Sequence, residues 1–227
     1  MCGRTSLASE PEDLREIFGL AEAPRLERHY NVPPSQPVAV VRAQRAAAGR
    51  TLDLLRWGLV PFWADDPKIG HRLSLARVET VATAPAFRDA IRRRRCLVVV
   101  DGFYEWKREG KKNSRPFYIG RRDHSPFALA GVWDRWVSKD GEVLESCAIL
   151  TQPAMPPVAA VHDRMPVVLE RAAWDRWLDP GLAETIDLLA PQSPDLVAYS
   201  VSPRVNDPRH DDPECTEPYE PEQRPLF

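Results

Sequence analysis

Val98-Val99-Val100-Asp101-Gly102-Phe103-Tyr104-Glu105-Trp106 is the stretch whose reading decides the fold. Its first part is β-branched and apolar, the composition of a buried strand, and it runs straight into a carboxylate, a glycine and a second carboxylate between aromatic rings. Outward from it, short β-branched and aromatic runs recur at 38–41, 52–60, 96–100, 117–119, 127–133, 147–150 and 166–169, separated by Gly, Pro and charged turns. Helical signals are fewer. Ser9 with Pro11, then Leu14, Ile17 and Phe18 at helical spacing and Gly19 as a stop, predicts one capped helix. Thr83-Ala84-Pro85 predicts a second, running through Phe87 and Ile91, and 172–178 with 182–189 predicts further helices late in the chain. Strands that do not alternate with helices imply an α+β fold: a single domain with a curved, barrel-like, mostly antiparallel β core and peripheral helices, not a doubly wound parallel sheet. The expected domain spans 1–206, and the acidic, Pro-rich residues 207–227 are expected to be disordered.

The 227 residues are 43% hydrophobic, enough for a real core. No run of about 18 apolar residues and no secretory leader pattern is visible, so the expected location is cytoplasmic and no membrane partner is expected. Cys2, Cys96, Cys147 and Cys215 form no Cys-x-x-Cys pair and the five histidines show no metal-ligand spacing, which predicts free thiols and no metal. Net charge is −2 but unevenly placed. From Asp207 onward seven acidic residues face two basic ones, a balance of −5, so the preceding residues carry +3. Arg92-Arg93-Arg94-Arg95, with Arg72, Arg77, Arg88, Lys107, Lys111, Lys112 and Arg115, concentrates cations in the central third. That is a phosphate track or a solvated helix face.

Several groups carry chemistry. Removal of Met1 would leave Cys2 with a free α-amine titrating near ~8 beside a thiol near ~8.5. Such a 1,2-aminothiol condenses with an aldehyde to an imine and then closes a thiazolidine. Trp57 and Trp63 flank a Pro turn and suit either base stacking or the core. Arg77 can hold a phosphate bidentately or pair with Glu79. Glu105, wedged between Tyr104 and Trp106, suits a proton shuttle whose charged form burial disfavours, or a structural ion pair. His162 and Arg164, two apart on an extended segment, put an imidazole and a cation on one face. His29, His71, His124 and His210 read as structural.

The ordered set Met1-Cys2-Gly3-Arg4, Tyr30-Asn31-Val32-Pro33-Pro34, 57–63, 76–80, Asp101-Gly102-Phe103-Tyr104-Glu105-Trp106, 129–133 and 162–166 resembles the SRAP family, named for SOS response-associated peptidases. The resemblance spans about residues 1–202. It implies a β-barrel-like single domain with Cys2 at the floor of a positively charged cleft, and covalent crosslinking to abasic sites in single-stranded DNA. The implied catalytic residues are Cys2, Glu105 and His162, with Arg4, Asn31, Trp63, Arg77 and Arg164 on the DNA. The expected protein is a monomer without cofactor, nucleoid-associated when bound. One departure stands out: where the family commonly has an asparagine before the Ala-Arg pair, this chain has Leu75. A thiol peptidase using Cys2, or a non-catalytic single-strand binding module, are the alternatives.

Overall fold

The opening run is two strands in two different sheets. A computed structural model describes residues 3–44, 49–110, 113–182, 186–189 and 195–220. In chain order it contains β1 (Thr5–Leu7), α1 (Pro11–Phe18), β2 (His29–Val32), β3 (Pro37–Ala43), β4 (Arg50–Trp57), β5 (Leu75–Arg77), α2 (Arg88–Arg93), β6 (Arg95–Val100) and β7 (Gly102–Glu109). β8 (Asn113–Arg121), β9 (Phe127–Val137), β10 (Val143–Pro153), β11 (Arg164–Pro166), β12 (Val168–Leu169), α3 (Trp174–Leu178) and β13 (Leu196–Ser200) follow. Strands β10, β4, β3, β6 and β9 pair in that order and β9 pairs again with β10, closing a five-stranded barrel. The ring is antiparallel except at the β10–β4 seam. A second sheet, in the order β13, β8, β7, β1, β2, is antiparallel throughout.

Period-2 alternation sorts the core. Val38, Val40, Leu55, Cys96, Val98, Leu129, Cys147 and Ile149 form one cluster, the lumen cluster, while their neighbours Ala39, Val41, Leu97, Val99, Ala128, Ala130, Ala148 and Leu150 join a second under the helices. Burial on both faces explains why 96–100 reads as an unbroken apolar run. In the second cluster Phe18 of α1 stacks on Trp174 of α3 at 4.7 Å between ring centres. Gly19 closes α1 in the left-handed region (φ 64°), as its position predicts, although the N-cap is Glu10 and not Ser9. Ser9 is engaged elsewhere: its hydroxyl and N–H donate to Asp101 at 2.5 and 2.9 Å, with Ala8 N–H at 2.6 Å. Asp101 is therefore a structural anchor, its carboxyl raised by burial against the opposing pull of those donors. Next to it, a Cβ on Gly102 would lie 2.2 Å from Tyr118 Cζ and 2.7 Å from the Ile119 carbonyl, so only glycine fits at the passage between sheets.

Three expectations are corrected. The helix anticipated from Thr83 begins only at Arg88, preceded by successive turns. The Arg run is divided: Arg95 is buried and donates to the carbonyls of Trp177, Ile91, Arg92, Asp179 and Leu182, so it ties α2 to the chain after α3 and is no phosphate ligand. Arg94 pairs with Asp134 at 3.2 Å. Finally, residues 207–220 are folded onto the second sheet. Cys215 is fully buried with Val201, Val205, Tyr104 and Tyr118, and Val201 bridges to Pro218. Low hydrophobicity misled here because the segment is held by hydrogen bonds to its carbonyls and carboxylates more than by its own apolar surface. Residues 221–227, and 183–185 of the expected late helix, lie outside the described residues. No helix among the described residues is long and apolar enough to cross a membrane.

Candidate functional site

β1 and β7 run antiparallel with Thr5 opposite Phe103, and the Tyr104 N–H donates to the Arg4 carbonyl at 3.0 Å. Arg4 therefore lies beside Tyr104, the residue before Glu105. Alternation turns Tyr104 and Trp106 to the layer formed with Tyr118, Tyr199 and Val205, and turns Phe103 to the lumen cluster. Glu105 shares the parity of Phe103, lies opposite Phe117 on β8, and is completely buried. Cys2 lies outside the described residues. Cys96 and Cys147 are buried in the barrel, where burial pushes the Cys147 thiol up to about 12 and Cys96 well above its ordinary range; Cys215 is raised by the same cause.

His162 is held by the turn that precedes it, its N–H donating to Val158 O at 2.9 Å, and Val158 belongs to the lumen cluster that Phe103 faces. The Arg164 N–H donates to His162 Nδ1 at 3.0 Å. A backbone N–H can only donate, so Nδ1 carries the lone pair and Nε2 the proton, despite the exposed Asp163 carboxylate 2.9 Å from Nδ1. Burial lowers the imidazole pKa, favouring this neutral form, and Arg108 on β7 adds to the lowering. Arg108 is an exposed cation on the same strand as Glu105, a position that no motif in the sequence marks.

Arg164 binds Glu79 with both ends of its guanidinium, at 2.5 and 3.0 Å, and donates to Thr151 O at 2.6 Å. The Glu79 carboxyl is held below the usual carboxylate range chiefly by that Arg164 bond. Glu79 thus pairs with Arg164 and not with its sequence neighbour Arg77. Arg77 stands exposed on β5, opposite Thr151 of β10 in the parallel register. The structure brings His162, Arg164, Glu79, Thr151 and Arg77 into one patch. It joins Arg4 to Asn31 in another, Arg4 Nη1 donating to Asn31 Oδ1 at 2.6 Å.

Asn31 corrects a DNA-contact expectation. It is 1% exposed, and its amide donates to the carbonyls of Val205, Asp207 and His210 while its oxygen accepts from Arg4. Buried with those bonds, it leaves no face for a nucleic acid. Leu75 itself packs against the lumen cluster opposite Ile149, and the neighbouring Ser74 carbonyl accepts from Trp57 Nε1 and Ile149 N. Trp57 is a core residue, fully buried; Trp63 is 47% exposed, beside Phe62 at 54%. Among the described residues no group of His, Cys, Asp or Glu is arranged to hold a metal ion.

The model of the SOS response associated peptidase (SRAP) family matches residues 1–208. Abasic site processing protein YoqW of Bacillus subtilis (strain 168) is 38% identical over 224 residues, covering 96% of this chain and 99% of its own. Abasic site processing protein HMCES of Mus musculus is 30% identical over 268 residues, covering 96% of this chain and 76% of its own. A crystal structure of a protein from Bacteroides thetaiotaomicron, 26% identical, superposes with a TM-score of 0.85 over 96% of this chain and 100% of that one. With the family model spanning most of its length, the chain belongs to the SRAP family.

Proposed function

We propose that this protein captures abasic sites in single-stranded DNA as a covalent adduct of Cys2, acting as a monomer without metal or cofactor. The observation that carries the reading is the β1–β7 register, which sets Arg4 beside Tyr104 on the strand that bears the buried Glu105. Support comes also from the names of the Bacillus subtilis and Mus musculus relatives, and from the other three cysteines, whose buried, raised thiols are poor nucleophiles at neutral pH.

In the proposed reaction the ring-opened sugar presents its C1′ aldehyde. The Cys2 amine adds to C1′ and water leaves as the C=N bond forms; the thiolate then attacks the same carbon, its electron pair forming C–S while the imine nitrogen takes a proton. Glu105 moves protons to and from the carbonyl oxygen and the nitrogen. His162, neutral with its proton on Nε2, assists ring opening. Arg4, Arg77 and Arg164 neutralise flanking phosphates and Trp63 stacks on a neighbouring base. The imine stage also permits β-elimination, a lyase activity. The working location is the cytoplasm, on the nucleoid when DNA-bound.

The test is incubation with single-stranded DNA bearing one abasic site, followed by a denaturing gel and intact mass. A shifted band in the parent and none for Cys2→Ala is expected. A stable adduct with Cys2→Ala, or active protein retaining Met1, overturns the reading. The family name points to peptidase activity, and peptide cleavage by a preparation that forms no DNA adduct would put the thiol peptidase in its place.

A further inference from the structure

The segment after β13 crosses the outer face of the second sheet as a strap, and its contacts converge on Arg4 and the strands on either side of β1. Arg4 Nη1 donates to Val205 O at 2.8 Å as well as to Asn31. Asn31 Nδ2 donates to Val205 O and Asp207 O at 3.2 Å each and to His210 O at 2.6 Å. Asp211 reaches back to β2, accepting from the N–H groups of Tyr30 and Asn31 and lying 2.7 Å from His29 Nδ1. Trp106, one residue after Glu105, donates its Nε1–H to Asn206 at 2.7 Å. The strap is thus bonded to both strands that flank β1.

The chemistry of position 31 is specific. One side-chain atom must accept from a guanidinium while the other shares its two N–H bonds among three carbonyls, the shortest to His210, and only an amide of this length does both. Arg4 is consequently fixed twice: its carbonyl by β7, its guanidinium by Asn31 and the strap. We propose that Asn31 and Asp211 are positioning residues for the amino terminus: through the strap they hold Arg4, and so set where the preceding residues meet Glu105. This rests on the crosslinking reading above, and assigns the 203–220 segment a part in the reaction without contact to DNA.

The experiment uses full-length protein with Asn31→Asp, Asp211→Ala and Asp211→Asn. Asn31→Asp keeps shape and the Arg4 partner but sets a carboxylate against three carbonyls. Asp211→Asn keeps an oxygen to accept from Tyr30 and Asn31. With saturating abasic single-stranded DNA, Asn31→Asp and Asp211→Ala are expected to slow single-turnover adduct formation about 10-fold or more, because misplacing a reacting group by about 1 Å is enough for losses of that order. Asp211→Asn recovers most of the rate. Affinity for the same strand without the lesion falls by less than the rate does, since of the three phosphate-binding arginines only Arg4 is touched and Arg77 and Arg164 keep their contacts. Hydrogen exchange of Thr5, Ser6 and Leu7 amides accelerates in the slow variants while β9 stays protected. A parent that crosslinks beside variants of equal rate overturns the strap proposal alone. A parent that forms no adduct overturns the crosslinking reading, and this proposal with it. A rate loss matched by an equal loss of affinity for undamaged strand shows Asn31 and Asp211 acting on binding and also overturns positioning.

Discussion

The two faces of β7 differ in kind although the same eight residues supply both. On one face Tyr104 and Trp106 are tied into a layer of rings and hydrogen bonds: the Tyr104 hydroxyl donates to Tyr30 O at 2.5 Å, Tyr104 meets Tyr118 edge-on at 5.2 Å, and Trp106 bonds Asn206. On the other, Phe103 packs into the lumen cluster and Glu105 is buried beside it. A polar group is tolerated inside a protein when partners are arranged for it, and a carboxylate is the costliest to place. The strand teaches that alternation lets one face carry stability so that the other can hold a residue chosen for chemistry.

Three changes test that division. Glu105→Gln, isosteric on the chemical face, is expected to slow adduct formation about 100-fold or more at unchanged melting temperature, within the range general acid–base groups supply. Single-turnover kinetics with a thermal melt checks it, and a loss of stability without a loss of rate would erase the distinction between the faces. Gly102→Ala, at the point where the strand enters, sets a methyl 2.2 Å from the Tyr118 ring and should cost about 3 kcal/mol in denaturant unfolding as overpacking against ring and backbone. Tyr104→Phe removes one hydroxyl bond from the structural face and should cost about 1 kcal/mol with adduct formation within about 2-fold.

The smallest effect concerns pH. The His162 pKa is lowered in the folded protein, so between that value and the ordinary ~6.5 the unfolded chain binds more protons and stability rises with pH. The contribution is whole above about 6.5 and is lost as pH falls through the lowered value. Melting temperatures of the parent and His162→Gln should therefore converge as pH falls from 7 toward 5, by an amount kept small because the ring is partly exposed. Parallel pH profiles would show that His162 does not titrate with folding.

Local chemistry in the chain was enough for the strand-rich α+β class, the Gly19 stop, the apolar character of β6 and the choice of Cys2, Glu105 and His162 as residues to ask about. Period, glycine geometry and reactivity are properties of a few adjacent residues. Strands β1, β2, β7 and β13 were not legible as strands, since their polar and aromatic residues are satisfied by partners far away in sequence. The same reason governs the charges. Arg95 and Arg94 look alike in the run, yet one is buried among five carbonyls and the other pairs with Asp134; Glu79 sits two residues from Arg77 and bonds Arg164; Asn31 reads as a loop asparagine and proves to be the clasp between Arg4 and a strap 174 to 179 residues away. Where a carbonyl or carboxylate finds its donor is decided only when the barrel closes and the second sheet folds over it, because hydrogen bonds depend on approach and direction, and no stretch of sequence carries those by itself.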